Sequence, residues 1–515
     1  MTYRILFHFR RLIALLVVLS TTPAMAAWYE ARSRHFIVYS AGTPERVGKF
    51  ASDLERFDQA LRKMLGYADI EGDDANPVTV YALGGANAVA SLCSSGRTEA
   101  KECRYVQGFY NTRVSGAVAF VPDRSGASGG LDAREILFHE YAHHLMLGYS
   151  GYVYPAWYVE GFAELVSYAK LDERGRVGIG LSADSRGGSL YTIMKMSALL
   201  EADMAKMSPD QRLDFYAQAW LLTHYLTFSP KRTGQITAYL QAINNGVPAR
   251  QAATSGFGDL AILESELKRY VQQKRMPFLS IAIPELPAGA IRLRQLSAGE
   301  AAMMPIRIRS DRGVNKETAP AVAADAQRIA ASYADDPRAQ DILAEAAFDA
   351  DELGVAEAAV DRALARDPAD VHGMLYKAQV LMARAGQAGG RDADWKAVRQ
   401  WLVKANAIVP DAAWPLYLFY QSYREQGIRP TANAIAGLER AFVLVPQDGS
   451  VRMSLVDQYL ADNRLAEARA ALAPLAFDPH LPPGSSAATL LAEIDARLKA
   501  AKDQAPANAS TSNTR

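Results

Sequence analysis

The 515-residue chain is poor in the residue types that often announce a function. It has two cysteines, eight histidines and no charge excess of either sign, with 56 Lys and Arg against 56 Asp and Glu. A balanced charge gives no bulk electrostatic attraction to nucleic acid, which needs basic clustering. No polybasic run marks an anionic membrane surface either. Beyond the first 26 residues there is no apolar run approaching the roughly 20 residues that a bilayer core demands. What remains is globular composition, half hydrophobic and 22% charged. At roughly 100–200 residues per domain, the length accommodates about two to four domains.

Residues 1–26 read as an export signal rather than as part of the fold. Arg4, Arg10 and Arg11 form a positive start, Leu12 to Leu19 an apolar run, and Ala24-Met25-Ala26 a small-x-small cleavage pattern. The mature chain is expected to begin at Ala27, to have no transmembrane segment and to be periplasmic or secreted. An oxidising compartment favours pairing Cys93 with Cys103, ten residues apart in a Ser/Gly/charge-rich stretch. Two unpaired loop thiols are the alternative; a metal site on this pair lacks a nearby His or Cys to complete it.

From 27 to about 275 strands and helices mix. HFIVYS (35–40), VTVYAL (78–83) and VSGAVAFV (114–121) read as strands. Between the first two, Val47, Phe50, Leu54, Phe57, Leu61 and Leu65 recur at helical spacing. Further helices are expected over 134–147, 156–170, 190–204, 212–227 and 260–273. Residues 276–320 contain SIAIPEL, AIRLRQL and MMPIRIR, short alternating runs split by Pro and Gly, and are expected to form a β-rich linker.

After about Ala321 the chain becomes Ala/Leu-rich helix with a repeat. Pro368, Pro410 and Pro446 each follow an alanine by five residues (Ala363, Ala405, Ala441) and an aliphatic residue by eight (Val360, Leu402, Leu438). Ala356, Val398 and Ala434 stand twelve before them. The prolines are 42 and 36 apart, and GQAGGRDADW in the wider gap reads as a loop insertion. Small residues where paired helices touch, followed by a proline that ends the second helix, resemble tetratricopeptide repeats over about 321–500. Leu343 and Ala344 fall where that motif wants them, and a weaker last unit lies near Leu455–Pro479. A generic helical array is the bland alternative; both are stacked α-solenoids that offer a concave surface to protein partners. Residues 501–515 read as a disordered tail.

The segment that carries chemistry is GGLDAREILFHEYAHHLMLG. Asp132 and Glu135 suit a helix start, Gly148 a helix stop, and Ile136, Leu137, Phe138, Tyr141, Leu145 and Met146 a buried face. Residues four apart share a helix face, so His139 and His143 can converge on one Zn²⁺. Glu140, beside them, can take a proton from zinc-bound water. Seventeen residues after His143, at Glu160, PAWYVEGFAEL supplies the first of two further carboxylates spaced i, i+4. Glu160 suits the third ligand, and Glu164 can hold a ligand histidine in its tautomer. Three protein ligands leave a fourth position open, as in catalytic sites.

HExxH followed by EGFAE is similar to the gluzincin metallopeptidases, and the segment from WYEARSRHFIVYS to LKRYVQQ resembles bacterial exported gluzincin-like domains fused to tetratricopeptide repeats. The resemblance implies an α+β fold, a thermolysin/gluzincin-like metallopeptidase domain followed by an all-α solenoid. It implies one zinc ion on His139, His143 and Glu160, and Glu140 as general base. GAVAF (116–120) falls at the strand position where related aminopeptidases carry G-A-M-E-N, with Ala119 in place of the acidic residue, which favours cleavage within peptides. The same strand is expected to hold an extended substrate by backbone pairing. Tyr216 in FYAQAWLLTHYL is the candidate oxyanion donor, with Tyr191 and His224 competing and helix packing as its bland reading. His144 points about 100° away from His143 and is expected at the surface or behind the ligands. The expected activity is an exported zinc endopeptidase acting on peptide or protein substrates. The alternative is a non-catalytic or chaperone-like interaction protein with a vestigial metallopeptidase domain. Envelope protease-chaperones of similar make-up place their third glutamate differently, and the tight EGFAE spacing argues against membership.

Overall fold

The computed structural model describes residues 27–504 except 69–70, 95–102, 104–105, 107, 124–132, 150–152, 182–188, 388 and 478–483. The expected signal segment, the proposed Asp132 cap and residues 505–515 of the expected 501–515 tail lie outside the described residues, whereas residues 501–504 are not tail but the end of the last helix, Ser486–Gln504.

Elements of the first half are, in order, β1 (Tyr29–Arg32), β2 (Phe36–Ser40), α1 (Pro44–Leu65), β3 (Val78–Leu83), α2 (Ala86–Ser94), β4 (Phe109–Asn111), β5 (Val118–Pro122), α3 (Ala133–Tyr149) and α4 (Ala156–Ser167). There follow β6 (Lys170–Leu171), β7 (Arg176–Ile179), α5 (Met196–Leu200), α6 (Pro209–Phe228), α7 (Gln235–Asn244), α8 (Ala249–Phe257), α9 (Leu260–Tyr270), β8 (Leu279–Ala282), β9 (Arg292–Gln295) and α10 (Ala298–Arg312). The helix expected over 190–204 is reduced to the five residues of α5 and a 3₁₀ turn, Met204–Lys206. Gly148 lies inside α3 rather than ending it.

Six strands form one sheet in the order β4-β5-β3-β2-β1-β9, with β2, β3 and β5 parallel to their neighbours in that central run. Side chains alternate along each strand, so the sheet has two buried faces. On one, Phe36, Val38, Val80, Ala119 and Val121 meet α1 and α3. Thr43 caps α1, Pro44 opens it and Gly66, left-handed at φ 70°, closes it, so the Val47–Leu54–Leu61 stripe is presented to the strands. On the other face Tyr39, Tyr81 and Phe120 stack with centroids 5.5 and 5.4 Å apart, covered by Val89 and Leu92 of α2 and by Met304 and Ile308 of α10. The layers are helices, sheet, helices.

The segment 276–320 is therefore not a β-rich linker. SIAIPEL and AIRLRQL supply β8 and β9, which extend a small β6-β7-β8 sheet and the large sheet respectively. MMPIRIR, however, is helical. Met304 and Ile308, spaced i, i+4, face the sheet, while Met303 and Ile306, spaced i, i+3, face the first repeats. A helix apolar on two sides interleaves two stripes, and in sequence the interleaving mimics the period-two pattern of a strand.

The second half is a stack of helices: α11 (Ala319–Ala330), α12 (Pro337–Asp349), α13 (Leu353–Arg366), α14 (Val371–Gln387), α15 (Asp392–Ile408), α16 (Ala413–Glu425), α17 (Ala432–Leu444), α18 (Gly449–Ala461), α19 (Leu465–Ala476) and α20 (Ser486–Gln504). Prolines 368, 410 and 446 lie just beyond α13, α15 and α17, where a residue without an N–H cannot prolong a helix. The alanines and aliphatics that define the repeat are all buried. The wider proline spacing does not come from a loop insertion: α14 and α15 have 17 residues each, against 13 in both α16 and α17. The turns α12–α13, α14–α15, α16–α17 and α18–α19 each contain one left-handed residue, respectively Asp351 (φ 60°), Gly389 (φ 61°), Gly427 (φ 75°) and Asn463 (φ 57°).

Candidate functional site

Helix α3 buries Leu137, Phe138, Tyr141, Leu145 and Met146, the apolar face its sequence promises. That packing leaves His139 and His143 on the side facing α4. A donor atom from each of His139, His143 and Glu160 lies within 4.8 Å of the others. His139 Nε2 and His143 Nε2 are 3.1 Å apart, and Glu160 Oε2 is 3.4 Å from the first and 3.6 Å from the second. Zinc bonds of about 2.0–2.1 Å give a coordination tetrahedron whose edges are about 3.3–3.4 Å. The triangle of donors fits one face of such a tetrahedron, and its chemistry, two imidazoles and a carboxylate, suits zinc.

Glu164, one turn beyond Glu160, places Oε1 3.3 Å from His139 Nδ1. It can therefore fix which ring nitrogen of His139 carries the proton. Glu160 and Glu164 are both buried. Burial alone would lower the His139 pKa, yet the two carboxylates outweigh it and hold it well above its ordinary value.

Gly161 explains how α4 brings Glu160 so close. A Cβ there would lie 2.3 Å from Thr223 Oγ1 and 2.4 Å from the Ala219 carbonyl oxygen, both on α6. The missing side chain lets α4 sit against α6, and α6 in turn carries Tyr216. The Tyr216 ring lies 6.4 Å from that of His139, edge to face. Burial, then Glu160 and Glu164, push its hydroxyl well above the usual phenol range, so it remains a donor at neutral pH. The competing residues differ in their surroundings. Tyr191 is 65% exposed. His224 is buried, with Nδ1 2.9 Å from the Tyr270 hydroxyl and Nε2 2.9 Å from the Gly180 carbonyl.

Glu140 faces a cleft of about 650 Å³ together with His143, His144, Tyr110 and Asn111. His144 is not at the surface: it is buried, bonded to the Tyr110 hydroxyl and stacked on Tyr141 at 5.3 Å. Burial, with Arg62 and His35 nearby, lowers its pKa to about 3 and keeps it neutral.

GAVAF does not occupy the position expected of it. Residues Val118–Pro122 form β5, fully buried and paired with β3 on one side and β4 on the other. An interior strand has no free backbone for a substrate, so neither the peptide-pairing expectation nor the argument from Ala119 holds. The edge strand beside Glu140 is β4, Phe109–Asn111. Its three residues are too short a run for a recognisable alternation, which is why the sequence hides it. Cys93 of α2 is joined by a disulfide to Cys103, which tethers the approach to β4.

The sequence also gives little sign of a buried charge cluster behind α3. His35 Nδ1 lies 3.0 Å from Glu55 Oε2 and 3.2 Å from Asp58 Oδ2. Arg62 Nε donates to both Asp58 oxygens at 2.8 and 2.9 Å, and the Tyr141 hydroxyl donates to Asp58 Oδ1 at 2.6 Å. These charged residues interrupt the α1 stripe next to Leu54, Phe57 and Leu61, the one available hint. The carboxylates already receive protein donors, and through Tyr141 they anchor the helix that carries the histidines.

No family model matches the chain. No curated protein matches it either. Among solved structures it is similar to a thermophilic tetratricopeptide-repeat protein from Thermus thermophilus, at 21% identity. The match covers 39% of this chain and 100% of that one, with a TM-score of 0.32. Among the described residues no helix is long and apolar enough to cross a membrane.

Proposed function

We propose that the chain is an exported zinc-dependent endopeptidase of gluzincin type, periplasmic or secreted, whose tetratricopeptide-like repeats engage protein partners or substrates. The observation that carries this reading is the donor triangle of His139, His143 and Glu160 with Glu140 beside it on the cleft. His139, His143 and Glu160 would hold one zinc ion, and Glu164 would orient His139. Bound zinc supplies Lewis acidity that makes water nucleophilic at neutral pH and polarises a peptide carbonyl. Glu140 takes the proton from the water as its oxygen bonds to the carbonyl carbon. It returns that proton to the departing amine nitrogen as the C–N bond breaks. The Tyr216 hydroxyl donates to the negative oxygen that forms between those steps. An extended peptide can lie along the edge strand β4, with main-chain pairing that needs no particular side-chain sequence.

The test compares wild type with Glu140→Gln for bound zinc and for cleavage of broad peptide libraries. Equal zinc in both proteins, with cleavage by wild type only, is the expected result. Zinc in both and no cleavage by wild type would leave the vestigial, interaction-only reading instead.

A further inference from the structure

The cleft at Glu140 has a wall that does not come from the helices of the site. Across from Tyr110, Asn111, Glu140 and His143 stand Gln447 and Gly449, at the start of α18 in the repeats. Several contacts hold the solenoid in this position. The Asn76 amide donates to the Asp411 carbonyl at 2.8 Å and accepts from the Ala413 N–H at 2.9 Å. Arg440 donates to the Glu71 carbonyl at 2.6 Å. Gly72, at φ 83°, lies so close to Asp411 that a Cβ would come within 2.4 Å. Val114 packs into the α16–α18 core and Val153 into the α18–α20 core. A recruiting arm tethered at one end would make none of these contacts.

The volume of about 650 Å³ is that of a site for a small ligand or a few peptide residues. A folded domain of 100 residues has a radius of gyration of about 13 Å and cannot enter. Within the cleft Arg113 is paired with Asp311 at 2.8 Å. What the cleft offers is a strand edge on one side and a fixed wall on the other.

We infer that the solenoid is the second jaw of this cleft and that its substrates are unfolded polypeptide segments, threaded between β4 and the start of α18. Folded proteins are excluded by shape. The inference rests on the peptidase reading of the site for its substrate chemistry, but not for its geometry.

Gly449 provides the test, because a Cβ there meets nothing within 4 Å and a large side chain can be planted on the wall without a clash at its root. The Glu140→Gln protein, otherwise intact, is titrated with fluorescein-labelled α-lactalbumin, either reduced and carboxymethylated or native. The unfolded form should bind at least about tenfold more tightly than the native one, and Gly449→Trp should weaken its binding by at least about tenfold with zinc content unchanged. If Gly449→Trp lowers the melting temperature, Gln447→Trp carries the same test. Equal binding of native and unfolded forms, no binding of either, or unaltered binding by both tryptophan variants would overturn the inference. Binding of unfolded chains by a wild type that never cleaves them would sink the peptidase reading and uphold the wall. Equal cleavage rates for wild type and the tryptophan variants would do the reverse.

Discussion

In the repeat half, each buried stripe meets a helix that comes just before or after it in the chain. Ala359 and Val360 pack with Ile342 and Leu343; Leu438 and Ala441 pack with Tyr420 and Val451. In the sheet half the partners are remote. Tyr29–Arg32 pairs with Arg292–Gln295, and Tyr81 shares a core with Met304 and Ile308. Local packing repeats a pattern and so tolerates variation unit by unit. Remote packing builds one irregular concave site, and a single displaced contact there reaches the chemistry. The expected sensitivity to mutation therefore differs between the halves.

The largest effect should come from Glu160→Ala. Removing a donor from the triangle is expected to weaken zinc by more than the ~10–100-fold typical of an outer hydrogen-bond partner. Helical circular dichroism should stay intact, since the repeats supply about half of the helical residues among those described and lie outside the donor triangle. Full zinc occupancy in this variant would mean that Glu160 is not a ligand. Glu164→Ala tests the layer behind it, with zinc weakened about 10–100-fold in chelator competition and the fold retained. Gly161→Ala should cost about 1–3 kcal/mol, because the new methyl meets the Ala219 carbonyl at 2.4 Å. It should also lower zinc affinity, by moving Glu160. A loss of stability without a loss of zinc would show that the α4–α6 approach does not set the site. The smallest effect is assigned to the repeats: Asn463→Gly should stabilise by up to about 1 kcal/mol by removing left-handed strain, measured by urea melts, with zinc affinity unchanged. A zinc response to that change would break the contrast between the halves.

Much of the site was legible in the sequence because helical periodicity is strict. Spacing of four puts His139 beside His143 and Glu160 beside Glu164 in any α-helix. Burial of Leu137, Phe138 and Leu145 follows from the same period. Tyr216 was legible only as one aromatic among several; its distance from His139 depends on how α6 packs on α4, and that depends on Gly161. The edge strand is hidden in the sequence because β5 is strongly apolar while β4 is three residues long. Strand order is set by pairing between distant segments, which apolarity alone does not encode.

The sequence by itself determined the two donor pairs, the repeat and its proline punctuation, since each is a local consequence of helix geometry. Only the tertiary structure decided that two helices meet at a donor triangle fit for zinc. It also decided that MMPIRIR is a helix shared by two cores, and that His139 and His143 join the site while His35 and His224 serve the interior. It alone brought the start of α18 to face Glu140. Those outcomes depend on which remote surfaces exclude water together, and burial of that kind is a property of the assembled chain.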